Sequence, residues 1–288
     1  MRRETLRAFA PYNAMNTERQ TNLRIGNVPY LNAKPLTYGI EDRVSLHHPA
    51  QLADLLHSCK LDAGVVPIAE CLAHDQYVVL EGAGISCRGP VFSVIVAHRG
   101  PIGKLRKIFV DQASRTSVVL MQVILREKFG VTPELIPLPT YDPQNAPDTL
   151  LLIGNQAIQF RFARNDYQIL DLGQAWWELT GLPFVFAAWA MQPAAANGDL
   201  PALLLKARRD GEAHIEDIVK RETEFSESFR REYLTRNVRF DLGDEEKKGI
   251  AAFRGFLQKC NRKQDARATM VEQASSLPVF HDLRYITG

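Results

Sequence analysis

The run Phe184-Val185-Phe186-Ala187-Ala188-Trp189-Ala190 carries no charge and no polar group apart from the indole N–H. A strand that is apolar at every position has no face to offer water, so both of its faces must be covered. Shorter buried runs precede it at Leu23 to Val28, Val44 to His47, Ala63 to Val66, Val91 to Ala97, Ile108 to Val110, Thr149 to Ile153 and Ile169 to Leu172. Segments of helical spacing lie between them. Pro49 to Ser58 places Leu52, Leu55 and Leu56 on one side, and Ser114 to Phe129 has a broad apolar face. From Leu200 to about Lys259 the pattern is helical and charged. Strands alternating with helices predict an α/β chain with mainly parallel sheets.

The block 111–186 has strands and helices of its own. It is expected to be a second domain inserted into a first one made of 23–110 and 187–261. Ligands of open α/β sheets bind beyond the carboxyl ends of the strands, so two facing sheets would frame a cleft. Residues 1–22 read as a poorly ordered extension. Residues 262–288 read as a loosely attached tail, because Gln264-Asp265-Ala266-Arg267 and Ser275-Ser276 are poor core material.

Composition narrows the function classes. A net charge of +2 with no basic stripe of interleaved aromatics argues against a nucleic-acid partner. Cys59, Cys71, Cys87 and Cys260 show no Cys-x-x-Cys spacing, which fits reduced thiols in a cytosolic protein. His47, His48, His57 and His74 show no metal-ligand spacing, so no metal is expected. No apolar run reaches the ~18 residues of a membrane span, and the first residues lack a signal-peptide core. The expectation is a cytoplasmic protein without a membrane partner.

Several polar loops follow strands. Asn32, after the first strand, is either a turn or cap residue or a neutral amide aimed into the cleft, able to donate and accept without titrating. Pro67 ends a buried strand, and Glu70 stands near the next helix start, where a carboxylate complements the dipole. Ser93 opens an apolar strand with no Gly-x-Ser-x-Gly elbow around it. Ser114-Arg115-Thr116-Ser117 puts three hydroxyls at the start of the strongest helix. One hydroxyl suffices to cap, so the group is read as an anion site. Gly154-Asn155 opens a helix but lacks the glycines of a phosphate loop. Trp176 and Trp177 precede Thr180-Gly181-Leu182-Pro183 at the mouth of the buried strand, an arrangement suited to a pocket for a planar organic molecule.

Six of these segments, in order, resemble the chorismate dehydratases that open the futalosine route to menaquinone. They are Tyr30-Leu31-Asn32 with Pro35-Leu36, Asp62 with Gly64 and Pro67, Gly89-Pro90-Val91 with Ser93, Ser114 to Ser117, Ile153-Gly154, and Asp171-Leu172-Gly173 through Trp189. The likeness covers about Leu23 to Cys260, and Phe225-x-x-Ser228 and Tyr233-Leu234 to Phe240 follow the family's closing helices. Asn155 stands where that family usually has Asp, and Cys71 where an aromatic is common. The resemblance implies a two-domain fold like type II periplasmic solute-binding proteins, in a cytoplasmic lyase. It implies removal of water from chorismate to give 3-[(1-carboxyvinyl)oxy]benzoate, E1cB-like and without a cofactor, with the substrate's enolpyruvyl carboxylate as base. Asn32 and Ser93 would orient the reacting groups. Ser114, Arg115, Thr116 and Ser117 would hold a carboxylate, with Pro67, Gly154 and Asn155 beside the substrate. By their placement, Trp176, Leu182 and Pro183 would form apolar walls. A homodimer is a further expectation. The rival readings are a non-catalytic binding protein for a small anion and the related 1,4-dihydroxy-6-naphthoate synthase. The synthase relies on a histidine and matches the Tyr30-Leu31-Asn32 loop less well.

Overall fold

The computed structural model describes residues 23–111, 114–138, 141–268 and 279–288, with the backbone alone over 261–268. The extension expected at 1–22 lies outside them. The chain enters with β1 (Ile25–Asn27), β2 (Val44–Leu46), α1 (Pro49–His57), β3 (Ala63–Pro67), α2 (Ile68–Ala73) and β4 (Val78–Cys87). It continues through β5 (Val94–His98), β6 (Lys107–Val110), α3 (Arg115–Phe129), β7 (Glu134–Pro137), β8 (Thr149–Ile153), α4 (Gly154–Ala163) and β9 (Gln168–Asp171). After α5 (Leu172–Thr180) comes β10 (Phe184–Met191), the apolar run of the sequence. Helices α6 (Pro193–Ala196), α7 (Leu200–Ala213), α8 (Ile215–Arg221), α9 (Glu227–Glu232) and α10 (Asp244–Ala268) follow, and β11 (Arg284–Ile286) closes the chain.

These strands make two sheets, ordered β11-β4-β10-β3-β1-β2 and β7-β6-β8-β5-β9. Both are mixed, where the alternation of elements predicted mainly parallel pairing. β10 is antiparallel to β3 and to β4, because it re-enters the first sheet from the second. β5 is likewise antiparallel to β8 and β9. The central place of β10 accounts for its composition. With a strand on either edge and helices on its faces, Phe184, Ala188, Trp189, Ala190 and Met191 are all buried.

Sheet membership differs from the division expected near Val110 and Phe186. β5 and β6 belong to the second sheet, so the chain crosses at 88–93 and returns at 172–183. A buried apolar run reads the same whichever sheet it joins, so composition alone misplaces this boundary. The tail differs too. α10 runs on to Ala268, and Arg284, Tyr285 and Ile286 pair in parallel with Val78, Val79 and Leu80 of β4.

One carboxylate fastens the two crossings to each other. Asp171 accepts from the backbone N–H of Val91 at 3.0 Å and of Phe92 at 2.8 Å on the outward crossing. It also accepts from the N–H of Gln174 at 3.1 Å, which caps α5 on the return. Arg161 donates to the same carboxylate at 3.2 Å and lies 3.7 Å over the Phe92 ring. Phe92 has a φ of 70°, a left-handed conformation that costs a β-carbon-bearing residue roughly 1–2 kcal/mol. The hydrogen bonds to Asp171 hold it there. Gly173 allows the crossings to touch, since a Cβ at this position would lie 2.6 Å from Cys87 Sγ and 2.7 Å from the Gly89 carbonyl oxygen.

Replacing Asp171 with Ala strands those amides and frees Phe92. Hydrogen bonds to a charged group are worth roughly 1.5–3 kcal/mol each. The variant is expected to lose about 3 kcal/mol or more of unfolding free energy in chemical denaturation. A midpoint within error of the parent would show that the crossings do not depend on this group.

Candidate active site

The cleft opens where the strands of both sheets end. The turn after β1 supplies Val28, Tyr30 and Asn32, and the end of β3 supplies Pro67. Val91 and Val94 come from the outward crossing and the start of β5, Phe186 and Ala187 from β10, and Ile153 and Gly154 from the second sheet. The start of α3 contributes Ser114, Arg115, Thr116 and Ser117. About 590 Å³ of space lies inside, counted to its open mouth.

The walls are largely apolar, so the few polar atoms stand out. Asn32 Oδ1 and Ser114 Oγ are buried and have no hydrogen-bond partner among the described residues. A buried polar atom without a partner costs roughly 1–3 kcal/mol, which a ligand's complementary group can recover. The first-turn amides of α3 have no intrahelical acceptors and carry the positive end of the helix dipole. Thr116 Oγ1 accepts the N–H of Ala69 at 3.1 Å, so its own proton remains to be given. Ser117 completes the cluster and is buried beside it.

Arg115 behaves differently from its neighbours. Its guanidinium donates to Glu70 and to Asp54, both at 2.8 Å, reaching from the helix of the second sheet to α2 and α1 beside the first. Glu70 also stands 3.6 Å from His74. Both the expected ligand-binding cation and the protein carboxylate a base mechanism would use first are therefore committed to an ion pair across the cleft.

Ser93 is fully buried behind the cleft wall. Its carbonyl accepts the Gly154 N–H at 2.8 Å, and its Oγ accepts the Tyr233 hydroxyl at 2.7 Å. Tyr233 is the residue that sequence reasoning passed over as a site group. It lies 140 positions from Ser93, and no local motif marks it.

Gly154 sits against the Tyr30 ring across the cleft. A Cβ there would meet ring carbons at 3.0 Å, and the φ of 61° is one that L side chains rarely adopt. Burial pushes the Tyr30 phenol up to about 12, so it stays neutral. Next to it, Leu31 N–H donates to Asn155 Oδ1 at 3.3 Å, and the Asn155 amide donates to Glu224. Gln159 donates to the same carboxylate at 2.6 Å. This explains Asn at position 155. Its amide satisfies an N–H and a carboxylate at once, whereas an Asp would face Glu224 as a like charge. Asn155 thus braces the cleft from behind and is not among the lining residues.

Three expected wall residues lie elsewhere. Trp176 is in α5, wholly buried, its indole donating to the Pro183 carbonyl at 3.2 Å. Its ring packs against Phe184, Phe253 and Phe256. Leu182 and Pro183 form the turn that this indole fastens, with Leu182 N–H donating to Thr180 Oγ1 at 3.1 Å. The aromatic group is core, because α5 turns its apolar face toward α10 and away from the cleft. Among the described residues no three His, Cys, Asp or Glu side chains converge as metal ligands, and no helix is long and apolar enough to cross a membrane.

The model of a family described as menaquinone biosynthesis matches residues 23–259. A chorismate dehydratase of Thermus thermophilus is 28% identical over 262 residues, covering 80% of this chain and 93% of that protein. A solved structure from Archaeoglobus fulgidus superposes with a TM-score of 0.66 at 15% identity, covering 83% of this chain and 97% of that one. A Candida albicans protein described as having the generic periplasmic binding protein fold gives 0.57 at 14% identity, over 91% and 99%. The fold is accordingly that of the two-domain periplasmic binding proteins, as the sequence resemblance implied.

The Tyr30–Gly154 contact predicts the effect of Gly154→Ala. The added methyl brings backbone strain of about 1–2 kcal/mol and pushes the Tyr30 ring away. A lower melting temperature and a larger radius of gyration in solution scattering are expected. An unchanged radius would mean that the contact does not hold the cleft closed.

Proposed function

The chain belongs to the menaquinone biosynthesis family, and from that membership and the chemistry of the cleft we propose that it is a chorismate dehydratase, a cytoplasmic lyase that converts chorismate to 3-[(1-carboxyvinyl)oxy]benzoate and water. The observation that carries the reading is the pair of unpartnered buried atoms, Asn32 Oδ1 and Ser114 Oγ, in an otherwise apolar cleft beside a hydroxyl-rich helix start. Such a site suits a flat, partly apolar carboxylic acid.

In this reading the start of α3 takes one substrate carboxylate through Ser114, Thr116, Ser117 and the first-turn amides. Val91, Val94, Ile85 and Phe186 flank the ring. The ring carbon bearing the enolpyruvyl ether loses its proton to the substrate's own enolpyruvyl carboxylate. The electron pair delocalises toward the ring carboxylate, and the neighbouring carbon then expels hydroxide, which leaves as water on taking up that proton. The ring becomes aromatic. Asn32 and Ser93 orient the reacting groups, and the protein contributes position and electrostatics. The ion pairs of Arg115 and Glu70 support a substrate-borne base, since the nearest protein carboxylate is already engaged.

Purified protein supplied with chorismate is expected to release the aromatic enol ether, read by chromatography. Saturable binding without product, at high enzyme and long times, would favour the anion-binding alternative. Single variants then test the division of labour. Asn32→Ala and Ser93→Ala are expected to lower turnover at least tenfold while keeping the parent pH profile, because neither side chain ionises near neutrality. Glu70→Gln is expected to keep measurable turnover. Its complete loss, in a folded protein that still binds chorismate, would make Glu70 the base.

A further inference from the structure

Ser93 Oγ is fully enclosed, and among the described residues its hydrogen-bond partner is the phenol of Tyr233. Tyr233 is itself 1% exposed, with the Phe229 ring stacked on it at 5.6 Å. It begins a π-helical turn, Tyr233–Asn237, between α9 and the loop that pairs with Ser86. Turns of this kind interrupt α-helices rarely and often mark functional places. Burial pushes the phenol well above its ordinary range, and Ser93 and the nearby Asn32 amide pull it back only in part. The phenol is therefore neutral across the working pH range and has a proton to place.

A hydroxyl has one proton and two lone pairs. When Tyr233 gives its proton to Ser93 Oγ, the serine's own proton cannot point back at the phenol and has to be directed elsewhere. The Asn32 amide lies beside the same phenol, while Asn32 Oδ1, at the cleft wall, has no partner among the described residues. We propose that Tyr233 is a positioning residue for the dehydration: its phenol fixes the polarity of the pair, so that Ser93 presents a donor and Asn32 an acceptor to the bound substrate. This rests on the proposed reaction. Without the phenol, Ser93 Oγ rotates among orientations that do not meet the substrate. Turnover then falls more than binding, because the lost interaction is one made mainly in the transition state.

The test compares the parent with Tyr233→Phe, Ser93→Ala and the double variant, each with chorismate. Tyr233→Phe is expected to lower kcat about tenfold or more and to change KM by less than about threefold. The double variant is expected to be no slower than Ser93→Ala, since both changes remove one device. Parent-like kcat in Tyr233→Phe, or losses that multiply, would overturn the proposal. Should Tyr233→Phe not fold, a ring-fluorinated tyrosine at position 233 keeps the shape and lowers the phenol pKa. It is expected to add an alkaline fall in kcat that the parent lacks, and a superimposable profile would overturn the proposal. If the parent makes no product from chorismate, the proposed reaction fails separately. The phenol proton of Tyr233, followed by NMR without ligand, is then expected to shift in Ser93→Ala. An unmoved resonance would refute the hydrogen bond itself.

Discussion

Asp171 is the point from which the arrangement hangs. Two sheets joined by two thin crossings have no covalent reason to face each other at any particular angle. The carboxylate supplies one by binding amides on both crossings, at Val91, Phe92 and Gln174, from a single residue. Everything that faces the cleft follows from that pinning. Ser93 comes immediately after the pinned segment, Gly154 donates back to Ser93, and β10 begins where the return crossing ends. The helix start at Ser114 is carried by the second sheet, and Asn32 by the first. The fixed crossings, with the Arg115 ion pairs and the Ala69–Thr116 hydrogen bond, bring them to the same cavity.

The electrostatics of that cavity are unusual for a site read as binding a dicarboxylate. Arg115 is the one charged residue among the described residues that line it, and its guanidinium is turned to Asp54 and Glu70. On that reading the substrate's charge would be met by hydroxyls, amides and a helix dipole. Neutral donors hold a carboxylate without lowering its basicity as far as a contact ion pair would. For a reaction in which a carboxylate of the substrate takes the proton, that difference is useful. A guanidinium in direct contact would stabilise the base in its unreactive form. Keeping the cation at one remove retains its role in fastening the two sides of the cleft.

The sequence displays the alternation of strands and helices, the hydroxyl cluster on α3 and the double burial of β10 openly, because each is a local pattern. Pro67, Asn32, Gly154 and Ser114 to Ser117 were legible for the same reason, as residues at strand ends or helix starts. Relations between distant segments were not. β4 goes unread because Glu81, Gly82 and Gly84 break its apolar pattern, although it runs for ten residues and pairs with β10 and β11. Trp176 reads as a pocket wall because nothing nearby reveals that Phe253 and Phe256 arrive to enclose it. β5 and β6 look no different from strands of the first sheet. Tyr233 is silent because its meaning comes wholly from Ser93, and Arg115 reads as a free cation until α1 and α2 are folded beside it.

The order of the strands also sets a timetable. In the first sheet β10 fills the gap between β3 and β4, yet the whole second sheet is synthesised between β4 and β10. A growing chain thus carries β3 and β4 with the edges meant for β10 still unpaired, and such edges are templates for wrong pairing. The gap can close only after the inserted segment has been made, at a loop-closure cost that grows slowly with its length. The second sheet, by contrast, draws all its strands from one continuous stretch and can form first. Its completion brings the return crossing to Asp171 and aims β10 at its place. The segment that holds half of the cleft also delivers the last central strand of the other half.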